Sequence, residues 1–234
     1  MRLIFWNVRH LGGATEAARR KFIEERVVGL NPQYAFFCEL TTVCIFPSAQ
    51  NLTYRKKTPY QLCYGCLKNG VDVPLTLITP TVTDEYKEAT GYKGGDDFTK
   101  LVDRAPGHIK LTPPEVAAPS LDIYVIHAPA SSESAEKAMT FLACYLNKIH
   151  DKAPAPSPWL ILGDFNVVPE KLEDAPVGIE MSDLIHAPNK GTHMGRLTDK
   201  TLDYVLSNFP AKVTQLRTSA RLHGSDHYPI VVEF

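Results

Sequence analysis

Long apolar runs are missing from this chain: no stretch of its 234 residues approaches the roughly 20 apolar positions that a membrane-spanning helix needs. A charged, then apolar, then small-residue leader is missing from the first residues as well, so the expectation is a soluble, cytoplasmic protein. Cysteine is scarce and odd in number, five residues scattered along the sequence, which excludes a secreted disulfide framework. Cys63 and Cys66 form a lone CxxC, and Cys38 with Cys44 is too poorly spaced to complete a structural zinc site, so buried free thiols are expected. An excess of charge is lacking too. With 25 Lys+Arg against 26 Asp+Glu the formal net charge is -1, so any basic surface facing a polyanion has to be local. What is present is apolar content of 44%, enough at this length to bury one large core, and residues 1–234 read as a single domain.

The chain is organised around Leu160-Ile161-Leu162-Gly163-Asp164-Phe165-Asn166. Three apolar residues in succession predict a strand buried on both faces, and Gly163 lets the backbone leave it. Period-two geometry then sends Asp164 and Asn166 to one side and Phe165 to the other. A carboxylate that can hold a proton beside an amide that can grip an oxyanion suits water activation at phosphorus. The plainer reading is a strand that ends in an Asx turn.

Other strand ends repeat the pattern. Asn7 follows Leu3-Ile4-Phe5-Trp6, Glu39 follows Phe36-Phe37-Cys38, and His127 follows Tyr124-Val125-Ile126. Asp203 lies in Leu202-Asp203-Tyr204-Val205-Leu206, and Asp226-His227 sits in the closing Gly224-Ser225-Asp226-His227-Tyr228-Pro229. Turn chemistry accounts for one such end but not for six. Glu39 is the first choice of metal ligand, because Mg2+ takes oxygen ligands and needs only one or two carboxylates beside a substrate phosphate. Asp203 needs a partner if it is buried, and His227 is the candidate: a carboxylate on one ring nitrogen fixes the tautomer and favours the cation.

This ordered set resembles the endonuclease/exonuclease/phosphatase superfamily, whose members include deoxyribonuclease I, exonuclease III-type nucleases, neutral sphingomyelinases and inositol polyphosphate 5-phosphatases. The resemblance runs from Asn7 to His227, and Gly163-Asp164-Phe165-Asn166 and Ser225-Asp226-His227 are its most specific parts. It implies a four-layer α/β sandwich, with two mixed, mostly antiparallel sheets face to face and helices outside. It also implies dependence on Mg2+ or Mn2+. In that scheme Asp164 and Asn166 activate water, and Glu39, with Asn7 and Asp226, attends the metal. His227 is oriented by Asp203 and donates to a phosphate oxygen, and His127 stands near the leaving oxygen. Ala105, in Asp103-Arg104-Ala105-Pro106, stands where deoxyribonuclease I-like relatives carry a Glu that supports this histidine.

Around these motifs, a helix is predicted from near Thr15 to Asn31-Pro32, with Ala18, Phe22, Ile23, Val27 and Leu30 on its inner stripe and Arg19, Arg20, Lys21, Glu24 and Glu25 facing water. A second helix is predicted over Glu133 to Ile149. Between Thr41 and Gly70, Tyr54, Arg55, Lys56, Lys57, Tyr60, Tyr64 and Lys68 interleave rings with cations, as a surface for a polyanion or as an ordinary amphipathic strand pair. Arg55, Lys56, Lys57, Tyr60, Lys68 and Arg104 are the candidate substrate contacts. His10, His108, His150, His186, His193 and His223 lack such context and read as surface or core histidines. The expected function is metal-dependent phosphodiester hydrolysis, foremost by a nuclease on DNA or RNA, in a monomer without an obligate protein partner. The alternatives are a phosphatase or phosphodiesterase on an inositol phosphate, nucleotide or phospholipid headgroup, and a non-catalytic binding module of the same fold.

Overall fold

The computed structural model describes residues 1–11, 17–40, 50–52, 62–68, 71–73, 75–77, 106–111, 120–128, 135, 157–173, 184–195, 198–217 and 224–234. In chain order the elements are β1 (Arg2–Leu11), α1 (Ala17–Leu30), β2 (Tyr34–Leu40), β3 (Gln50–Leu52), β4 (Leu62–Lys68), β5 (Val71–Asp72), β6 (Thr76–Leu77) and β7 (Gly107–Leu111). They continue as β8 (Leu121–His127), β9 (Trp159–Asp164), α2 (Pro169–Glu173), β10 (Ile185–His186), β11 (Asp203–Ser207), β12 (Lys212–Gln215) and β13 (Ile230–Glu233). One sheet runs β12-β13-β1-β2-β4-β3, with β5 added on β4, and the other runs β10-β11-β9-β8-β7-β6. Only β1 with β2 and β8 with β9 are parallel among these pairs, so both sheets are mixed and mostly antiparallel, as expected.

Alternation explains the layers. Leu3, Phe5, Phe36, Cys38 and Ile230 of the first sheet meet Ile123, Val125, Leu160, Leu162 and Val205 of the second in a core between the sheets. The residues between them point the other way. Ile4, Trp6, Val8, Ala35 and Phe37 pack under Ile23 and Val27 of α1, while Tyr124, Ile126, Trp159, Ile161 and Tyr204 pack under Phe165 and Leu172 at α2. Each fully buried side chain of this size contributes about 1.5–3 kcal/mol relative to exposure. The layers are therefore helix, sheet, sheet, helix. Cys38 and Cys66 are buried.

Several sequence expectations change in detail. Ala18 is exposed rather than part of the inner stripe of α1. Arg19 turns inward in its place, half-buried, and its guanidinium donates to the carbonyls of Val8 and Arg9. Arg20 is half-buried too. Asn31 ends the helix in the left-handed region, φ 45°, with its N–H on the Val28 carbonyl at 3.0 Å. Gly163 does not release the strand: β9 runs through it to Asp164. It is needed for contact, because a Cβ there would lie 2.1 Å from the Ile126 carbonyl oxygen on β8. His108 is paired, its Nε2 lying 2.7 Å from Oδ1 of Asp122. The segment around Thr15 and the helix predicted over residues 133–149 lie outside the described residues, apart from Ala135, which is helical and buried.

Candidate active site

The alternation that builds the inter-sheet core also builds the site. Continuing the inward rows to their ends, Leu3 and Phe5 lead to Asn7, Ile123 and Val125 to His127, Leu160 and Leu162 to Asp164, and Val205 back to Asp203. Strand register then aligns three of these side by side. Asp164 is the Cα partner of His127 on β8 and of Asp203 on β11, so a histidine and a second carboxylate flank it. All four residues are buried. Asn7 spans the gap between the sheets, its Nδ2 donating to Oδ2 of Asp164 and to Oε1 of Glu39, both at 2.9 Å.

Glu39 breaks the alternation. Phe36 and Cys38 face the inter-sheet core, so a regular strand would turn residue 39 outward. Its backbone is instead left-handed, φ 58°, at a register irregularity of β2 against β4 between Phe37 and Leu40. Such a bulge re-aims a side chain, and here the Glu39 carboxylate reaches Asn7 and stands 3.4 Å from Nε2 of His127. Arg9 at φ 43° and Asn166 at φ 53° are also left-handed. Apart from the helix-ending Asn31, the left-handed residues other than glycine thus gather at this site among the described residues. Each costs of order 1–3 kcal/mol and persists because its surroundings fix it. Arg9 donates its N–H to Oδ1 of Asn7 at 3.0 Å, and Arg19 holds its carbonyl.

Asn166 enters by a turn rather than by the strand pleat. Its N–H donates to Oδ1 of Asp164 at 2.9 Å, an Asx turn, and its Nδ2 donates to the Ala128 carbonyl at 2.7 Å. It therefore positions Asp164 through its backbone while its carboxamide ties the end of β8 to the turn. Asp164 is held on both oxygens. Burial is the main cause that lifts its pKa from 3.8 to about 7; His227 and the bonds from Asn7 and Asn166 pull it down, and Asp203 pushes it up.

His227 faces Asp164 from the loop before β13. Its Nδ1 lies 2.8 Å from Oδ2 of Asp203, and its Nε2 lies 3.6 Å from Oδ2 of Asp164. Burial opposes the charged imidazole, but Asp203, then Asp164 and Asp226, outweigh it and raise its pKa from 6.5 to about 10. The loop is anchored independently of that charge. Trp6 Nε1 donates to the His227 carbonyl at 3.0 Å, Ser225 Oγ donates to the Asn7 carbonyl at 2.7 Å, and the His227 N–H donates to Ser225 Oγ at 3.1 Å. Thr192 Oγ1 accepts the N–H of Asp203 at 2.9 Å and fixes the other partner.

Two neighbours were not read from the sequence as site residues. His193 stacks edge-on against His227, with ring centroids 4.8 Å apart, and its Nε2 is 3.8 Å from Oδ2 of Asp226. Burial and the adjacent His227 lower its pKa. Arg9, half exposed at the rim, places Nη1 3.1 Å from the same Asp226 oxygen. The signal for His193 was its place after Thr192; for Arg9 it was its position two residues beyond Asn7. His127, expected to lack a carboxylate partner at Ala105, has Glu39 at 3.4 Å and Asp164 at 3.7 Å on Nε2. Lys68 is not brought to the site. It pairs with Tyr34 at the other end of β2 from Glu39, with its Nζ 5.5 Å from the centre of that ring. Arg55, Lys56, Lys57, Tyr60 and Arg104 lie outside the described residues.

Donor groups suited to a cation occur in overlapping sets: Glu39 with His127 and Asp164, Asp164 with Asp203 and His227, and His193 with Asp226 and His227, the donor atoms of each lying within 4.8 Å of one another. The first set offers two carboxylates next to the Asn7 amide and fits a hard divalent ion that keeps several waters.

Comparison with solved structures bears on the fold. The human Nocturnin catalytic domain with bound sulfate anion is 18% identical to this chain, with a TM-score of 0.63 over 99% of this chain and 93% of that one. TDP2 from D. rerio complexed with single strand DNA product is 14% identical, with a TM-score of 0.63 over 99% and 97%. CdtB, the biologically active subunit of Cytolethal Distending Toxin, is 18% identical, with a TM-score of 0.58 over 99% and 96%. No protein-family model and no curated protein sequence matches the chain. The chain has the fold of the deoxyribonuclease I-like endonuclease/exonuclease/phosphatase superfamily, to which these structures belong.

Proposed function

We propose that the chain is a divalent-metal-dependent phosphodiester hydrolase whose substrate is a nucleic acid. The reading rests on Asp164: a buried carboxylate with a pKa near 7, clamped on both oxygens and facing an imidazole that stays charged to about pH 10. A base poised near the operating pH beside a fixed cationic donor is what water attack on a phosphodiester needs. The shared fold of TDP2 in complex with a single strand DNA product supports nucleic acid as the substrate, and so does the Tyr/Lys/Arg segment between Thr41 and Gly70.

Asp164 accepts a proton from the attacking water, held for this by Asn7 Nδ2 and the Asn166 N–H. The water oxygen bonds to phosphorus in line with the leaving oxygen, whose bond breaks. His227 donates from Nε2 to a non-bridging oxygen as negative charge grows there, while Asp203 keeps Nδ1 as the other donor. His127 stands on the far side of Asp164 from Asp203 and supplies a donor at the leaving oxygen. Glu39, steadied by Asn7, would hold Mg2+ or Mn2+, which when bound neutralises charge on the phosphate. Arg9 sits at the rim with donors to spare for a neighbouring phosphate.

The test is a metal-supplemented panel of plasmid DNA, single-stranded DNA, RNA, nucleotides, inositol phosphates and sphingomyelin, with Asp164→Asn as the control. Cleavage of a nucleic acid that falls by several orders of magnitude in the folded variant is the expected result. Turnover confined to an inositol phosphate, a nucleotide or sphingomyelin would keep the centre and overturn the substrate.

A further inference from the structure

We propose that His193, Asp226 and His227 form a second, nitrogen-rich cation site that takes Zn2+, distinct from the centre at Glu39. The donor set carries this. Two imidazoles and one carboxylate, with one ligand atom from each lying within 4.8 Å of the others, match the ligands zinc prefers, whereas Mg2+ prefers oxygen. Donors around tetrahedral zinc, bonded at about 2.0–2.1 Å, stand roughly 3.3 Å apart. His193 Nε2 and Asp226 Oδ2 start at 3.8 Å, about 0.5 Å beyond that spacing.

The backbone already holds these ligands together. His193 bridges His227 and also Lys200. The Met194 N–H donates to the Asp226 carbonyl at 2.8 Å, and the Tyr228 N–H donates to the Thr192 carbonyl at 2.7 Å, so residues 192–194 and 226–228 are stapled in register. Asp203 on Nδ1 of His227 is the carboxylate partner that zinc-binding histidines use to orient the ring and strengthen the ligand. Nδ1 of His193 is buried without a hydrogen-bond partner among the described residues, so no competing bond fixes that ring. Three carboxylates, Asp164, Asp203 and Asp226, act on His227. They also hold a proton on Nε2, which Zn2+ has to displace, so zinc binding releases a proton. Arg9 competes as well: it pairs with the Asp226 oxygen at 3.1 Å, but that pair is exposed and weak.

Zinc at this site would engage the Nε2 of His227 that donates to phosphate. On the hydrolytic reading above, Zn2+ therefore inhibits turnover supported by Mg2+. Binding and inhibition are tested separately. Co2+ serves as a spectroscopic stand-in, with Zn2+ then titrated against it in the full chain. The wild type should show the intense visible absorption of low-coordinate Co2+ and lose it to Zn2+. Loss of a hydrogen bond to a metal ligand already costs about 10–100-fold in metal affinity, so loss of a ligand in His193→Ala should weaken Zn2+ binding by roughly a hundredfold or more. Glu39→Gln should leave Zn2+ binding as it is. Equal Zn2+ affinity in wild type and folded His193→Ala, or loss of Zn2+ binding in Glu39→Gln, overturns the site. Should His193→Ala fail to fold, Arg9→Ala decides: removing the competing cation should tighten Zn2+ several-fold, and unchanged affinity overturns the proposal. Zinc binding without any hydrolysis in the panel would leave this site standing and remove only its inhibitory meaning.

Discussion

Asp203→Asn isolates the charge that keeps His227 an imidazolium. The rise of that group from 6.5 to about 10 corresponds to about 5 kcal/mol in favour of the charged ring, and Asp203, at 2.8 Å from Nδ1, is the largest of the causes that raise it. In the wild type Asp164 is ionised above about 7 and His227 stays protonated up to about 10, so the rate should form a plateau between them. Asn can still accept from Nδ1 but brings no charge. If His227 falls to its ordinary value of 6.5, roughly 3% remains charged at about pH 8, a loss of about thirtyfold that deepens with each further pH step. The assay is a pH–rate profile of both proteins at saturating metal, since metal binding carries its own proton linkage. Calorimetric unfolding supplies an independent check. A folded-state value above the ordinary one means that the fold holds the proton more tightly, so this stabilisation is complete below 6.5 and is lost as pH climbs through about 10. Asp164, raised from 3.8 to about 7, loses its share over that lower window in the same direction. The wild-type Tm should fall between neutral and alkaline pH, and the variant's should fall less. Superimposable alkaline limbs would refute the assignment of His227 as the charged donor.

Glu39→Gln removes the carboxylate shared by Asn7 and His127, and Mn2+ affinity measured by calorimetry should drop at least about tenfold; an unchanged isotherm removes Glu39 from the metal centre. Gly163→Ala drives a methyl group to 2.1 Å from the Ile126 carbonyl oxygen, so denaturant titration should show a loss of about 3 kcal/mol or more, and coincident midpoints would show that β8 and β9 can part without cost. Replacing Arg55, Lys56 and Lys57 together by Ala should reduce the log–log salt slope of nucleic-acid binding by about 2 to 3. A slope equal to that of the wild type would place the phosphate track on another face.

What the sequence made legible was whatever depends on alternation within one strand. Asn7, His127, Asp164 and Asp203 are each the polar end of an inward-facing apolar row, so reading the rows is enough to find them. Glu39 was read from its place at a strand end beside Asn7, and what turns it there was not legible: simple strand phase sends it outward, and the left-handed bulge that turns it back has no signature in Phe36-Phe37-Cys38-Glu39. Gly163 was assigned to the end of a strand because a lone glycine after an apolar run looks like punctuation. Its actual requirement, the close approach of Ile126, belongs to a neighbour 37 positions earlier in the chain. His193 and Arg9 escaped for a similar reason. Their partner is Asp226, and only the docking of residues 224–229 against β1 brings these groups together.

The pairing of β1 with β13, Arg2 opposite Glu233, has a kinetic side. β1 finds this antiparallel neighbour only when β13, far along the chain, docks, and Asn7 receives the Ser225 hydroxyl on its carbonyl by the same event. Contacts between residues so far apart in the chain carry a large loop-closure cost and form late. Docking of β13 and the loop before it is what brings His227 Nε2 to 3.6 Å from Asp164 Oδ2. Until residues 225–233 are in place, Asp164 lacks the imidazole of His227, and on the reading proposed above the base lacks its charged partner.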